Sequence, residues 1–177
     1  CMQRAIARAH LPVWYTEGFN PHIYISVALP LSTGYSGEWE FLDFNCTAEE
    51  LPADAVERLN AVMPSGLSVQ EIYPLDDGGR KVRDIAYSKF EITWEFDDGV
   101  PEGFVDAANA LFARDELTIL KKSKRGEKEV NVRDYMRGIT LEPDTDCVRA
   151  YTILGAGNNN LSPEYLTKLI LRELPQY

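Results

Sequence analysis

Apolar residues recur along this chain with two periods, and the switches between them lay out its elements. From Cys1 to His10, Met2, Ile6 and Ala9 fall on one side and Arg4 and Arg8 on another, the spacing of a helix that ends before Pro12. No Ser, Thr, Asp or Asn stands ahead of it as a cap, so the chain is expected to begin inside an element with a segment missing upstream. Ile23, Ile25, Val27 and Leu29 then alternate with Tyr24, Ser26 and Ala28 as far as Pro30, which predicts a half-buried strand. After a Ser/Gly turn, Glu38 to Phe44 predicts a second strand with Trp39 and Phe41 on one face, Leu42 and Phe44 on the other, and both faces covered. Thr47 with Glu50 reads as a capping box ahead of a helix through Val56, Leu59, Val62 and Met63, stopped by Pro64-Ser-Gly66. Leu67 to Tyr73 is expected as a third strand.

The order of elements then recurs. Phe90, Ile92, Trp94 and Phe96 alternate with Glu91, Thr93 and Glu95 in the clearest strand of the chain, and Phe104, Val105, Ala108, Leu111 and Phe112 mark a helix. Leu117 to Leu120 predicts a strand and Lys121 to Lys128 an exposed turn with Gly126 at its tip, returning through Val130 and Val132. Arg133 to Gly138 is expected as a short helix, Cys147 to Leu154 as a strand, and Ser162-Pro163-Glu164 as the opening of a last helix with Leu166, Leu169 and Ile170 inward. The fold class expected is α+β, as two tandem ferredoxin-like (βαββαβ) units, the first lacking its opening strand. The halves span 1–75 and 86–177, joined by a polar linker at 76–85 that holds Asp76-Asp77-Gly78-Gly79 and three basic residues. A single continuous α+β sheet is the alternative.

Composition narrows the function. With 18 basic and 28 acidic residues the net charge is −10, which repels bulk polyanions and excludes a general nucleic-acid coat, so any RNA or phosphate contact must be local. Cys1, Cys46 and Cys147 are odd in number and far apart, and indicate neither a disulfide framework nor a metal site. A reducing cytoplasm is the simplest reading. No apolar run approaches the ~20 residues of a membrane span.

Chemistry concentrates in Tyr15-Thr-Glu-Gly-Phe-Asn-Pro-His22, a connection that packs a turn glycine, an Asn-Pro breaker, a carboxylate and an imidazole together. Glu17 and His22 are candidate catalytic residues, because an imidazole beside a carboxylate carries protons. Asn20 can hold a carbonyl or a base edge, and Tyr15 and Phe19 offer planar surface for stacking. Against this stands the plain satisfied loop. A second concentration is the hairpin with Lys121, Lys122, Lys124, Arg125 and Lys128, five of 18 positive charges, followed by Arg133. Without interleaved aromatics it suits backbone phosphates, or it is a solvated tip. Gly155 to Leu161 matches no phosphate-loop pattern and reads as ordinary connection.

Several stretches resemble one family: Arg4 to Val13, Tyr15 to His22, Leu29-Pro-Leu with Gly37 to Asp43, Lys122 to Lys128 with Val132-Arg133, and Leu161-Ser-Pro-Glu164. Together they resemble the uncharacterised bacterial radical-SAM-associated domain, found alone or behind a radical S-adenosylmethionine enzyme. Ile23 and Tyr24 depart from the Pro and Lys common there. The resemblance implies association with a radical SAM enzyme as partner, not its activity, since no CxxxCxxC cluster motif is present. The expected function is a non-catalytic adaptor that presents RNA, without a cofactor or metal of its own. A small enzyme acting on a nucleotide-like substrate through Glu17 and His22, and a structural scaffold, are the alternatives.

Overall fold

The computed structural model describes residues 1–75, 84–123 and 126–177, and its contacts divide the chain into two compact units, Cys1–Asp84 and Ile85–Tyr177. Helices and strands are mixed along the chain, so the fold is α+β. Of the expected linker, residues 76–83 lie outside the described residues.

In the first unit, α1 (Met2–Arg8) turns Ala5 and Ile6 inward. It packs over an antiparallel pair, β1 (Ile25–Val27) and β2 (Leu42–Phe44), whose Ile25, Leu42 and Phe44 border the same core. The helix α2 (Ala55–Val62) adds Ala55 and Leu59. Both strands are shorter than their alternation predicts, because the β2 segment is shared between two partners. It pairs with Ile25 at Phe44 and with Val13 at Cys46. The chain between those partners is pinched out by a bridge from Tyr15 to Ile23 instead of lengthening the ladder.

Three other expectations for this unit change. Trp39 and Phe41 are 70% and 43% exposed, so the face they share is open. The segment 67–73 forms no strand. The Asn60 side chain takes both backbone groups of Val69, accepting from its N–H at 2.7 Å and donating to its carbonyl at 2.9 Å, so a side chain stands where a ladder partner would. Thr47 and Glu50 do not cap α2, which starts past Pro52 with Asp54 at its N-cap and a 2.9 Å ion pair from Asp54 to Arg58.

The second unit follows its pattern closely. The strands β3 (Tyr87–Glu95) and β7 (Cys147–Gly155) pair antiparallel over their whole lengths, and α3 (Phe104–Phe112) and α4 (Glu164–Glu173) cover one face. The segment expected as a short helix is a single 3-10 turn, Val132–Asp134, followed by another strand, β6 (Met136–Pro143). Gly138, at φ +117, sits in a register break between Met136 and Ile139, and this bulge interrupts the alternation that would have marked the strand in the sequence. The Gly138 carbonyl accepts the buried Thr152 hydroxyl at 2.8 Å. The sheet order is β3-β7-β6. Since β7 is antiparallel to both neighbours, β3 and β6 run parallel on either side of it, joined through α3 and a hairpin of β4 (Thr118–Ser123) and β5 (Gly126–Asn131).

Aromatic packing holds this core. Phe104 is fully buried and meets Phe96, Tyr177 and Trp94 edge-on with centroids 4.9, 5.6 and 6.2 Å apart, while Trp94 stacks on Phe112 and donates its indole N–H to Thr167 at 3.0 Å. Among the described residues no helix is long and apolar enough to cross a membrane. Phe104→Ala is expected to cost about 3 to 5 kcal/mol through cavity formation, against under about 0.5 kcal/mol for the exposed Leu171→Ala. Urea unfolding followed by tryptophan fluorescence checks this, and equal losses in the two variants would refute the assigned core.

Candidate functional site

The turn from Tyr15 to Ile23 is closed by its own atoms. Inside the Tyr15–Ile23 bridge, the Thr16 N–H donates to the His22 carbonyl at 2.8 Å and the His22 N–H donates back to the Thr16 hydroxyl at 3.1 Å. Gly18 takes φ +122, a left-handed conformation that a side chain would strain. His22 Nδ1 lies 3.0 Å from the Thr16 hydroxyl oxygen and 3.0 Å from the Asn20 carbonyl. A carbonyl only accepts, so the contact with Asn20 is a hydrogen bond in the Nδ1–H tautomer, and Nε2 has no hydrogen-bond partner among the described residues.

This geometry sorts the expected residues. Tyr15 and His22 come together along an open groove of about 180 Å³, completed by Gln3, Arg4 and Ala7 of α1 and by Ile23. Gln3 secures the join by donating its amide to the Ile23 carbonyl at 2.8 Å. Glu17, Phe19 and Asn20 stay on the exposed crest of the turn. The Glu17 carboxylate has no hydrogen bond or ion pair with the described residues, and Asn20 takes part through its backbone carbonyl alone. Glu17 therefore does not back His22 as the sequence suggested. Gln3 and Arg4 were missed as site residues. Their signal was available in the helical spacing of Gln3, Arg4 and Ala7 beside the buried Ala5–Ile6 stripe, which aims them at whatever lies next to the core. On the other side of the turn Trp14 and Tyr24 meet edge-on at 6.5 Å, both more than a third exposed.

The basic residues of the second unit serve mostly local partners. Lys121 Nζ donates to the Asn160 carbonyl and lies 4.8 Å from the centre of the Tyr135 ring, and burial pushes its pKa down. Lys122 pairs with Glu127 across the hairpin at 3.5 Å, an exposed contact that contributes little. Arg133 donates to the Phe112 carbonyl at 3.2 Å, where a cation suits the carboxyl end of α3. Lys124 and Arg125 lie outside the described residues. Gly155 to Leu161 is ordinary connection: Ala156 is buried and bonded to the Ala86 carbonyl at 2.8 Å, and Leu161 closes back on Gly155 at 2.9 Å. Among the described residues no group of three His, Cys, Asp or Glu side chains is placed to hold a metal ion.

Compared with known families, residues 1–163 match the one described as uncharacterized protein conserved in bacteria (DUF2344). The chain belongs to this family. The matched residues take in the turn, the groove and the hairpin together. No curated protein and no solved structure matches the chain.

Thr16→Val removes the hydroxyl that holds both the His22 amide and its ring. The expected loss is about 1 kcal/mol of stability, with the fold retained and the His22 ring released from one orientation. Nitrogen NMR of the imidazole checks this: the wild type should show the Nδ1–H tautomer, and a mixture in the wild type would refute the clasp.

Proposed function

We propose that the chain is a recognition module that works with a radical SAM enzyme and presents RNA to it. The observation that carries this reading is the state of His22. Its Nδ1 is engaged by the turn itself, no carboxylate among the described residues is bonded to it, and the groove beside it is open, so water is not excluded from a reacting group there. Such a site binds better than it catalyses. The radical SAM partner comes from the sequence resemblance alone.

We further read both units as ferredoxin-like. In the second, β3, β6 and β7 with α3 and α4 have the split arrangement in which an antiparallel strand lies between two parallel ones, with the β4–β5 hairpin inserted. In the first, α1, β1, β2 and α2 follow the corresponding order. Units of this kind often bind RNA on the open sheet face, an analogy of fold. Here that face sets Glu91, Glu95 and Glu142 among the exposed Tyr87 and Tyr151 rings, with Lys89, Arg137 and Arg149 as its cations, Arg137 lying 3.6 Å over the Tyr87 ring. Acidic and basic side chains balance on it and Arg149 is taken up by Glu91 and Asp144, so the face offers no net positive charge to a polyanion, and RNA is assigned to the basic hairpin and to the His22 turn instead.

A second reading, an enzyme acting on a nucleotide-like substrate, is favoured by one observation: Nε2 of His22 has no hydrogen-bond partner among the described residues. His22→Ala separates the two. The adaptor reading expects weaker substrate binding with the partner's association intact; turnover by the isolated chain that disappears in His22→Ala would favour the enzyme. Neutralising Lys122, Lys124 and Arg125 is expected to weaken RNA binding and to reduce its log-affinity slope against log salt by up to ~2 for three single-strand contacts. Titrations across a salt series check this, and identical slopes would remove the hairpin from the interface.

A further inference from the structure

We infer that the groove between α1 and the His22 turn binds a single nucleotide unit, with Arg4 holding its phosphate and the Tyr15 ring with Ala7 and Ile23 forming an apolar seat for its base. This rests on the recognition reading above and names the part of the substrate that the site would take.

The charge at the groove is the first reason. None of the six lining residues is acidic, and the Arg4 guanidinium makes no ion pair or hydrogen bond with the described residues. In a chain with net charge −10, where acidic side chains outnumber basic ones 28 to 18, Arg4 is left without a carboxylate beside an open depression. Arg8, one turn further on, instead donates to the Arg4 carbonyl and stays outside the groove. Guanidinium suits phosphate in particular, since its planar fork meets two oxygens at once.

Shape and donors supply the second reason. The floor is apolar, from Ala7, Ile23 and the flat face of Tyr15, so a bare anion would leave it uncovered; an anion carried on a planar ring covers both parts. About 180 Å³ is below the ~300 to 1,000 Å³ of pockets that enclose a whole drug-sized ligand, which limits the occupant to one unit of something larger. The polar rim is also fixed in advance. Gln3 is tied to the Ile23 carbonyl, and the clasp on Nδ1 leaves Nε2 of His22 as its available ring atom, so little order has to be imposed on binding.

The test uses the whole chain and adenosine monophosphate as probe, with adenosine and inorganic phosphate as controls, followed by NMR and calorimetry. Adenosine monophosphate should shift Ala7, Tyr15, His22 and Ile23 and bind about tenfold or more tightly than adenosine, a difference that Arg4→Gln abolishes and Arg4→Lys partly restores. Arg4 is exposed, so its variants should keep the wild-type thermal transition. Equal binding of adenosine and adenosine monophosphate, or undiminished binding by Arg4→Gln, would overturn the inference. So would shifts confined to the hairpin at 121–128. Capture of the radical SAM partner is scored separately. Partner capture without nucleotide binding sinks only this inference, whereas nucleotide binding without partner capture sinks only the adaptor reading.

Discussion

The site exists because residues 16–22 cannot take part in the sheet. Once the β2 segment pairs with Ile25 at Phe44 and with Val13 at Cys46, the chain between those two partners has to leave the ladder and return. The Tyr15–Ile23 bridge sets where it leaves, and the reciprocal bonds of Thr16 and His22 fix how the excursion closes. Everything functional in the first unit follows from that constraint. Tyr15 and Ile23 keep the inward facing of paired residues and so meet α1, while Trp14 and Tyr24, one step out of phase, face the opposite way.

How much of this was legible depended on whether a pattern ran long enough to be read. The strand at Phe90–Phe96 and the helix at Phe104–Phe112 carry uninterrupted period-two and helical stripes, and the structure forms both. β6 was missed because the bulge at Gly138 breaks its period. The stretch 67–73 carries a strand's composition and yet makes none, since its partner is one asparagine side chain, which no periodicity reports. The turn was legible as a site from its density of Gly, Asn, Pro and His, but the pairing within it was not. Sequence proximity put Glu17 beside His22. The backbone instead reserved Nδ1 for the Asn20 carbonyl and a threonine that composition gave no reason to single out.

Cations along this chain are held in contrasting ways. In the second unit, Lys121, Arg133 and Arg172 each donate to a backbone carbonyl, at Asn160, Phe112 and Thr118 respectively. These charges complete the architecture by satisfying acceptors that regular structure leaves over. In the first, Arg8 likewise donates to the Arg4 carbonyl, whereas Arg4 has no such duty among the described residues. The contrast separates positive charge that belongs to the fold from positive charge that the fold leaves available, a distinction that counting residues in the sequence cannot make.

The hairpin of the second unit is gripped near its root from several directions. Lys121 reaches the Asn160 carbonyl, the Lys122 N–H donates to the Tyr165 hydroxyl, and Arg172 bonds the Thr118 carbonyl. The Asn131 side chain accepts from Leu117 and donates to Asp115. Two of those grips, Tyr165 and Arg172, belong to α4. Mechanically the arm is a cantilever with a clamped base. A load on the arm is not dissipated in a soft joint; it is delivered as torque to α4, the helix that grips its root directly.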